Sequence, residues 1–203
     1  MTGTGEVLFG VLIGYFVGTF PSADLVTRFV SRGSVDIRAS GSGNPGGLNA
    51  MRVLGKKWGA LVMLLDALKG ALAGFAGLAV GDAAAYAAGT AAIAGHVWPA
   101  WTSFRGGRGV ATAGGSFTSV FPPFFPIAAV FALGVTLIRR NPAMTVVLVC
   151  PLWIVAAIVW WASGLSNWWG PEPAAGLVAY AVLGSLIVLA RFRSSVRSGS
   201  ARL

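Results

Sequence analysis

The stretch Asp36-Ile37-Arg38-Ala39-Ser40-Gly41-Ser42-Gly43-Asn44-Pro45-Gly46-Gly47-Leu48-Asn49-Ala50-Met51-Arg52 has the residue types needed to hold an anion. Gly41, Gly43, Gly46 and Gly47 place four glycines in seven residues. Without Cβ atoms, such a backbone can turn its N–H groups inward to form a concave nest. Ser42, Asn44 and Asn49 add neutral donors, and Arg52 adds a planar fork that can grip two phosphate oxygens at once. Gly41-Ser42-Gly43-Asn44-Pro45-Gly46 also satisfies the dinucleotide pattern G-x-G-x-x-G, but that pattern requires a strand before it and a helix opening within it. Pro45 and the apolar segments on either side argue against that context. A plain interhelical loop is the other reading of this composition.

A second stretch, Phe104-Arg105-Gly106-Gly107-Arg108-Gly109-Val110-Ala111-Thr112, carries the same chemistry in shorter form. A helix opening directly after it would aim its dipole and free N–H groups at the anion that Arg105 and Arg108 attract. No Gly-Lys-Ser/Thr follows, so ATP chemistry is unsupported. Just upstream, Gly95-His96-Val97-Trp98-Pro99 holds the only histidine. Imidazole titrates near neutrality, which makes His96 either a general base or a helix-end side chain paired with a backbone carbonyl. Asp66 and Lys69 lie in the middle of an apolar segment, where unpaired charges are expensive. Their i, i+3 spacing allows a mutual ion pair, and the alternative for Lys69 is a direct substrate contact. Asp24, which follows Pro21-Ser22, is placed to bind a loop arginine.

The elements that position these residues follow from hydropathy. The chain has 203 residues, 56% hydrophobic and only 10% charged, and its mean hydropathy of +0.76 belongs in a bilayer. Divided at charges and Gly/Pro clusters, it yields seven apolar segments, at about 6–29, 58–80, 83–103, 109–122, 124–138, 142–163 and 174–191. The fourth is short and rich in Gly, Ser and Thr, and the Pro122–Pro123 corner separates it from the fifth. The first segment reads as a retained span rather than a secretory signal, because Glu6 is the first charge and a long apolar run follows it. Cys150, the single cysteine, cannot form an internal disulfide.

Arg28, Arg32, Arg38, Arg52, Lys56 and Lys57 flank the first long loop. Arg105 and Arg108 follow in the second, Arg139 and Arg140 in the third, and Arg191, Arg193, Arg197 and Arg202 in the tail. Seven spans put all four clusters on one face, with Glu6, Asp82 and Glu172 on the other. The positive-inside rule then sets the N-terminus outside and the C-terminus in the cytoplasm. The same rule accounts for the net charge of +9 without nucleic acid as a partner. The expected fold is therefore an all-α polytopic membrane bundle, a single domain over 1–203.

Taken together, these motifs resemble the bacterial acyl-phosphate:glycerol-3-phosphate acyltransferases, the PlsY family. The resemblance rests on Gly41-Ser42-Gly43-Asn44, Gly46, Asn49, Arg52 and Gly55, then Leu65-Asp66 and Lys69-Gly70. Gly95-His96 with Pro99, and Gly106-Gly107 followed by Gly109-Val110-Ala111-Thr112, complete it. It implies transfer of a long-chain acyl group from acyl phosphate to the 1-hydroxyl of glycerol 3-phosphate, giving lysophosphatidic acid and inorganic phosphate. It also implies that Ser42 and Arg52 are essential and that Gly106, Gly107 and Gly109 take part in binding glycerol 3-phosphate. No metal or cofactor is implied, and no protein partner is evident beyond the bilayer itself. The expected location is the inner (plasma) membrane, with the site on its cytoplasmic face.

An acyl phosphate is already activated, so alignment and charge neutralisation are the main demands, with Arg52 and Arg108 as neutralisers. Ser42 has no partnered base in sequence and is read as a hydroxyl donor rather than a nucleophile. This chain departs from the resemblance in three places. Arg105 and Arg108 stand where lysines are usual, Leu48 stands where a threonine is common, and the tail from Ala190 to Leu203 lacks the usual His, Asn and Glu. An anion transporter and a catalytically weakened scaffold derived from the same family are the alternative readings. An acyl-CoA-dependent enzyme would carry Asp five residues after His96, where Trp101 stands.

Overall fold

The computed structural model describes residues 3–139 and 141–197, and these are helical throughout, with loops between the helices. The first expected segment is two helices rather than one: α1, Gly3–Gly18, and α2, Ser22–Ser31. Pro21 explains the break, since it has no N–H and its ring clashes with the preceding helical turn. The carbonyls this frees would be costly in hydrocarbon, and both find donors. Trp101 Nε1 donates to the Thr19 carbonyl at 3.1 Å, and Lys69 Nζ donates to the Phe20 carbonyl at 2.9 Å.

A short helix, α3, Gly47–Leu54, forms inside what the sequence reads as a loop. The chain continues as α4, Lys56–Leu78, and α5, Asp82–Val97, followed by a 3-10 turn at Ala100–Thr102. It ends with α6, Val110–Val120, α7, Phe124–Arg139, α8, Pro142–Ser163, and α9, Ala175–Arg197. α5 stops six residues short of the expected boundary at 103, because Pro99 cannot continue it. The Pro122–Pro123 corner falls between α6 and α7 as expected. Among the described residues, four segments are long and apolar enough to cross a membrane: Gly3–Ser31, Lys56–Leu78, Ala143–Ser163 and Ala175–Phe192. α5, α6 and α7 are shorter than the roughly 20 residues an independent span needs. Arg140 and Arg202 lie outside the described residues, as do the side chains of Arg193 and Arg197.

Packing in the N-terminal half relies on small residues, which allow backbones to approach where no hydrophobic effect separates protein from lipid. Gly10, Gly14 and Gly18 of α1 lie directly on Ala84, Ala88 and Ala92 of α5, and a Cβ on Gly10 would stand 2.5 Å from the Ala84 carbonyl oxygen. α4 and α6 cross in the same way, Gly70 against the Thr112 backbone and Gly115 against Ala67. The C-terminal half is held by aromatic rings instead, with Phe117, Phe121, Phe124, Trp153 and Tyr180 buried together. Outward-facing positions are apolar: Leu12 is 70% exposed and Val130 73%. Such a periphery suits acyl chains rather than water.

Candidate active site

The first loop is shaped by its own side chains. Gly41 and Gly43 adopt φ of +60° and +69°, left-handed values that glycine reaches without strain. Asn49, buried on α3, is the hub. Its Oδ1 accepts from the Ser42 N–H at 2.8 Å, and its Nδ2 donates to the carbonyls of Ile37 (3.1 Å) and Ser40 (3.0 Å). Both amide hydrogens are thus engaged within the loop, so Asn49 holds the loop's shape and is not the free donor expected from its type. Arg38 braces the loop from outside. Its Nε and Nη2 bind the two oxygens of Asp24 at 2.9 and 2.8 Å, as expected for Asp24, and its Nη1 donates to the Arg105 carbonyl.

The second loop departs further from expectation. The N–H groups of Gly106 and Gly107 donate to the carbonyls of Val97 (3.0 Å) and His96 (3.1 Å), closing the end of α5. They are not free for an anion. The two residues are glycine for a steric reason: a Cβ on Gly106 would strike the His96 and Val97 carbonyls, and one on Gly107 would strike His96 Nε2. Their own carbonyls accept from Arg191 of α9, at 2.9 Å from Nη2 to Gly106 and 3.4 Å from Nε to Gly107. The anion-seeking element that remains is the N-terminus of α6, entered through Gly109 at φ +80° with no side-chain cap.

Beneath the loops, Asp66 lies between two cationic or ionisable groups. Lys69 Nζ is 2.9 Å from its Oδ1, the expected i, i+3 pair, and His96 Nδ1 is 3.5 Å from the same oxygen. His96 Nδ1 makes no well-aligned hydrogen bond among the described residues.

These elements meet around one cavity of about 420 Å³ at the loop end of the bundle. Ser42, Arg52, His96 and Arg108 all line it, with Asn44, Gly46, Asn49 and Gly109. Among the described residues Asp66 is the one carboxylate that lines it, and Lys69 is paired with it at 2.9 Å. Lys69, Gly106 and Gly107 do not line this cavity. They border an adjoining polar crevice of about 20 Å³, with Asp66 and His96 forming the wall between the two spaces. Gly41, Gly43 and Arg105 line neither space, and Arg105 is exposed.

Arg108 packs against an aromatic ring. Its guanidinium carbon stands 4.9 Å over the Phe192 ring, and its Nε finds no hydrogen-bond partner among the described residues. Burial, with the nearby charges of Arg191 and Arg52, lowers its pKa from the ordinary guanidinium value. Arg52, Arg108 and Arg191 stand near one another at this end of the bundle, an accumulation of positive charge that favours an anion. Phe192 carries no functional signal in the sequence, and Arg191, at the end of the last apolar segment, reads there only as a topological charge.

A membrane-type helical bundle with an arginine-lined cavity at one end defines the class: an integral membrane protein that handles anionic substrates. A family model described as "Glycerol-3-phosphate acyltransferase" matches residues 8–200. The chain is 35% identical over 190 residues to the glycerol-3-phosphate acyltransferase of Syntrophotalea carbinolica, covering 92% of this chain and 90% of that one. It is 45% identical over 133 residues to the Myxococcus xanthus enzyme of the same name, covering 64% and 68%. Two crystal structures of PlsY, described as an integral membrane glycerol 3-phosphate acyltransferase, superpose on it. The glycerol 3-phosphate form gives a TM-score of 0.76 at 28% identity, and the lysophosphatidic acid form 0.77 at 27%. Each superposition covers 97% of this chain and 94% of the other. The chain belongs to the glycerol-3-phosphate acyltransferase family.

Proposed function

We propose that this chain transfers a fatty acyl group from an acyl phosphate to the 1-hydroxyl of glycerol 3-phosphate, releasing lysophosphatidic acid and inorganic phosphate in an early step of phospholipid synthesis. The observation that carries the proposal is the meeting of Ser42, Arg52, His96 and Arg108 on one cavity, although Ser42 and Arg108 come from loops more than sixty residues apart. In the transfer, the glycerol hydroxyl oxygen bonds to the acyl carbonyl carbon. The bond from that carbon to the phosphate oxygen breaks, and phosphate leaves with the electron pair. Arg52 and Arg108 neutralise the phosphates, and their donors strengthen as charge develops. The open N-terminus of α6 adds backbone N–H groups for the same charge. Ser42 donates a hydrogen bond to the phosphate or the developing oxyanion.

His96 takes the hydroxyl proton through Nε2. Asp66 stands behind Nδ1 and favours the tautomer that leaves Nε2 as acceptor. Asp66 is thereby a positioning residue, and Lys69, paired with it and with the α1–α2 break, holds it in place.

The chain acts as a single domain over 1–203. It crosses the inner membrane seven times, N-terminus outside, with the site on the cytoplasmic face. α5, α6 and α7 complete the count as short spans. α5 and α6 are largely covered by neighbouring helices, which reduces the lipid-facing length each must supply.

Purified protein given glycerol 3-phosphate with palmitoyl phosphate or palmitoyl-CoA tests this reading, with phosphate and lysophosphatidic acid as readouts. Product is expected from palmitoyl phosphate alone. Product from palmitoyl-CoA alone would overturn the donor, and none from either would overturn the enzyme.

A further inference from the structure

α1, α5 and α9 leave a groove of about 690 Å³ between them, and none of its lining residues touches the reaction cavity. α5 lines it from Asp82 to Ala94, about 18 Å at the helical rise, against the roughly 15 Å of hydrocarbon in one leaflet. Its walls are small and apolar: Ala87 and Ala91 of α5, Val7 and Val11 of α1, Ala179 and Leu183 of α9. The hydroxyls along it are turned into the protein. Tyr15 donates to the Trp98 carbonyl at 2.8 Å, Tyr86 to the Glu172 carbonyl at 2.6 Å and Thr90 to the Tyr86 carbonyl at 2.9 Å, while the Tyr180 hydroxyl is hydrogen-bonded to Ser116 Oγ. What faces outward along the groove is therefore hydrocarbon.

One end differs, the end remote from the reaction cavity. Asp82 and Glu172 line it, and the Glu6 carboxylate lies beside them, against Gly81. None of these three carboxylates is paired with a lysine or arginine among the described residues, and no basic residue lines the groove. Asp82 Oδ2 accepts from the Glu172 N–H at 3.1 Å, which ties the start of α5 to the segment that leads into α9. α5 opens here with no side-chain cap, so its first N–H groups are available at the same level as the carboxylates.

We propose that this groove holds one phospholipid of the leaflet opposite the reaction cavity, with an acyl chain along α5 and a primary-amine headgroup at Asp82 and Glu172. The polar features of this end match the two charges of such a headgroup. The N-terminus of α5 suits the phosphate, and the carboxylates suit the ammonium. A headgroup that carries only the phosphate charge would meet the carboxylates with nothing to offset the repulsion. A second copy inserted in the same direction would bring its own Glu6, Asp82 and Glu172 against these, like charge against like. The assignment is independent of the acyl-transfer reading, because it uses no residue of the reaction cavity.

The test reconstitutes the full chain in nanodiscs that contain equal parts of phosphatidylethanolamine and phosphatidylglycerol with the same acyl chains, and counts retained lipid by native mass spectrometry. Comparison of wild type with variants cancels lipid held elsewhere, such as at the arginines of the other end. Wild type is expected to retain one phosphatidylethanolamine that the variants lose, favoured over phosphatidylglycerol by about fivefold or more, the scale of one charge at a membrane surface. Asp82→Asn combined with Glu172→Gln should bring that ratio close to one, and asparagine keeps an acceptor for the Glu172 N–H. Ala179→Phe fills the groove from an exposed position on α9, so the fold is spared, and should lower retention of both lipids severalfold. A phosphatidylethanolamine with a diazirine in its acyl chain should label the groove-facing residues of α1, α5 and α9 in wild type and not in Ala179→Phe. The same lipid ratio in wild type and the double variant, a retained second copy in place of lipid, or label confined to other helices would overturn the proposal.

Discussion

Ser42 and Arg52 meet the same cavity for different reasons. Ser42 is carried by a turn that Asn49 pins, whereas Arg52 projects from the last turn of α3, one turn beyond Asn49. Ser42→Ala and Arg52→Ala should each lower kcat by about a hundredfold or more, the scale for removing one donor to developing charge. The protein should still purify from membranes with an unchanged elution profile; near-native rates in both would show that the site lies elsewhere. His96 is tested by pH. As a general base it must be neutral, so kcat/KM should rise with pH through the imidazole titration. In His96→Gln that acidic limb should disappear along with most of the rate. Survival of the limb in the variant would assign the proton to another acceptor, such as the departing phosphate. Asn49→Ala removes three hydrogen bonds from a buried position and should destabilise the loop by about 2 kcal/mol. Faster proteolytic cleavage across residues 40–46 is the measurement.

α1 and α5 are held by contact between backbones, an arrangement that leaves no space for a larger side chain. Gly14→Val should drive a branched side chain into the Ala88 backbone and destabilise the bundle by about 1–3 kcal/mol, read as a lower thermal midpoint in detergent. An unchanged midpoint would mean that α1 and α5 are not packed this closely. The consequence reaches the site, because α5 carries His96 in its last turn and the carbonyls of His96 and Val97 anchor the second loop through Gly107 and Gly106. α9 bears on the same loop from the other side through Arg191. The site is thus clamped between two spans, and both α6 and the short α3 open onto it with N-termini that carry no side-chain cap.

For the whole molecule, the proposal of seven spans places Glu172 and Arg105 on opposite sides of the membrane. Cys150 is buried and supplies little background, so single cysteines can report sidedness. In intact spheroplasts, Glu172→Cys should react with a membrane-impermeant maleimide, and Arg105→Cys only after permeabilisation. Reaction of both from outside would reverse or break the topology. The buried charges support a membrane setting as well. Asp66 and Lys69 face each other inside the bundle, where removing one partner would strand the other.

Hydropathy and charge placement made the helical membrane class legible from the chain alone, because a bilayer imposes segment length and sidedness directly on composition. The glycine-rich, basic make-up of both loops was legible too, since it depends on residue types and local spacing, and residues of both line one cavity. Local spacing could not reveal which groups remain available once the chain folds. Asn49, Gly106 and Gly107 read as donors to a ligand, yet their N–H groups are engaged by carbonyls distant in sequence or across a turn. Arg191 read only as a topological charge, but helix packing carries it to the second loop. The break at Pro21, the α3 helix and an apolar cavity beside the site also emerged only in three dimensions. Each depends on what the neighbouring helices offer: carbonyl partners, a glycine surface or a gap between faces.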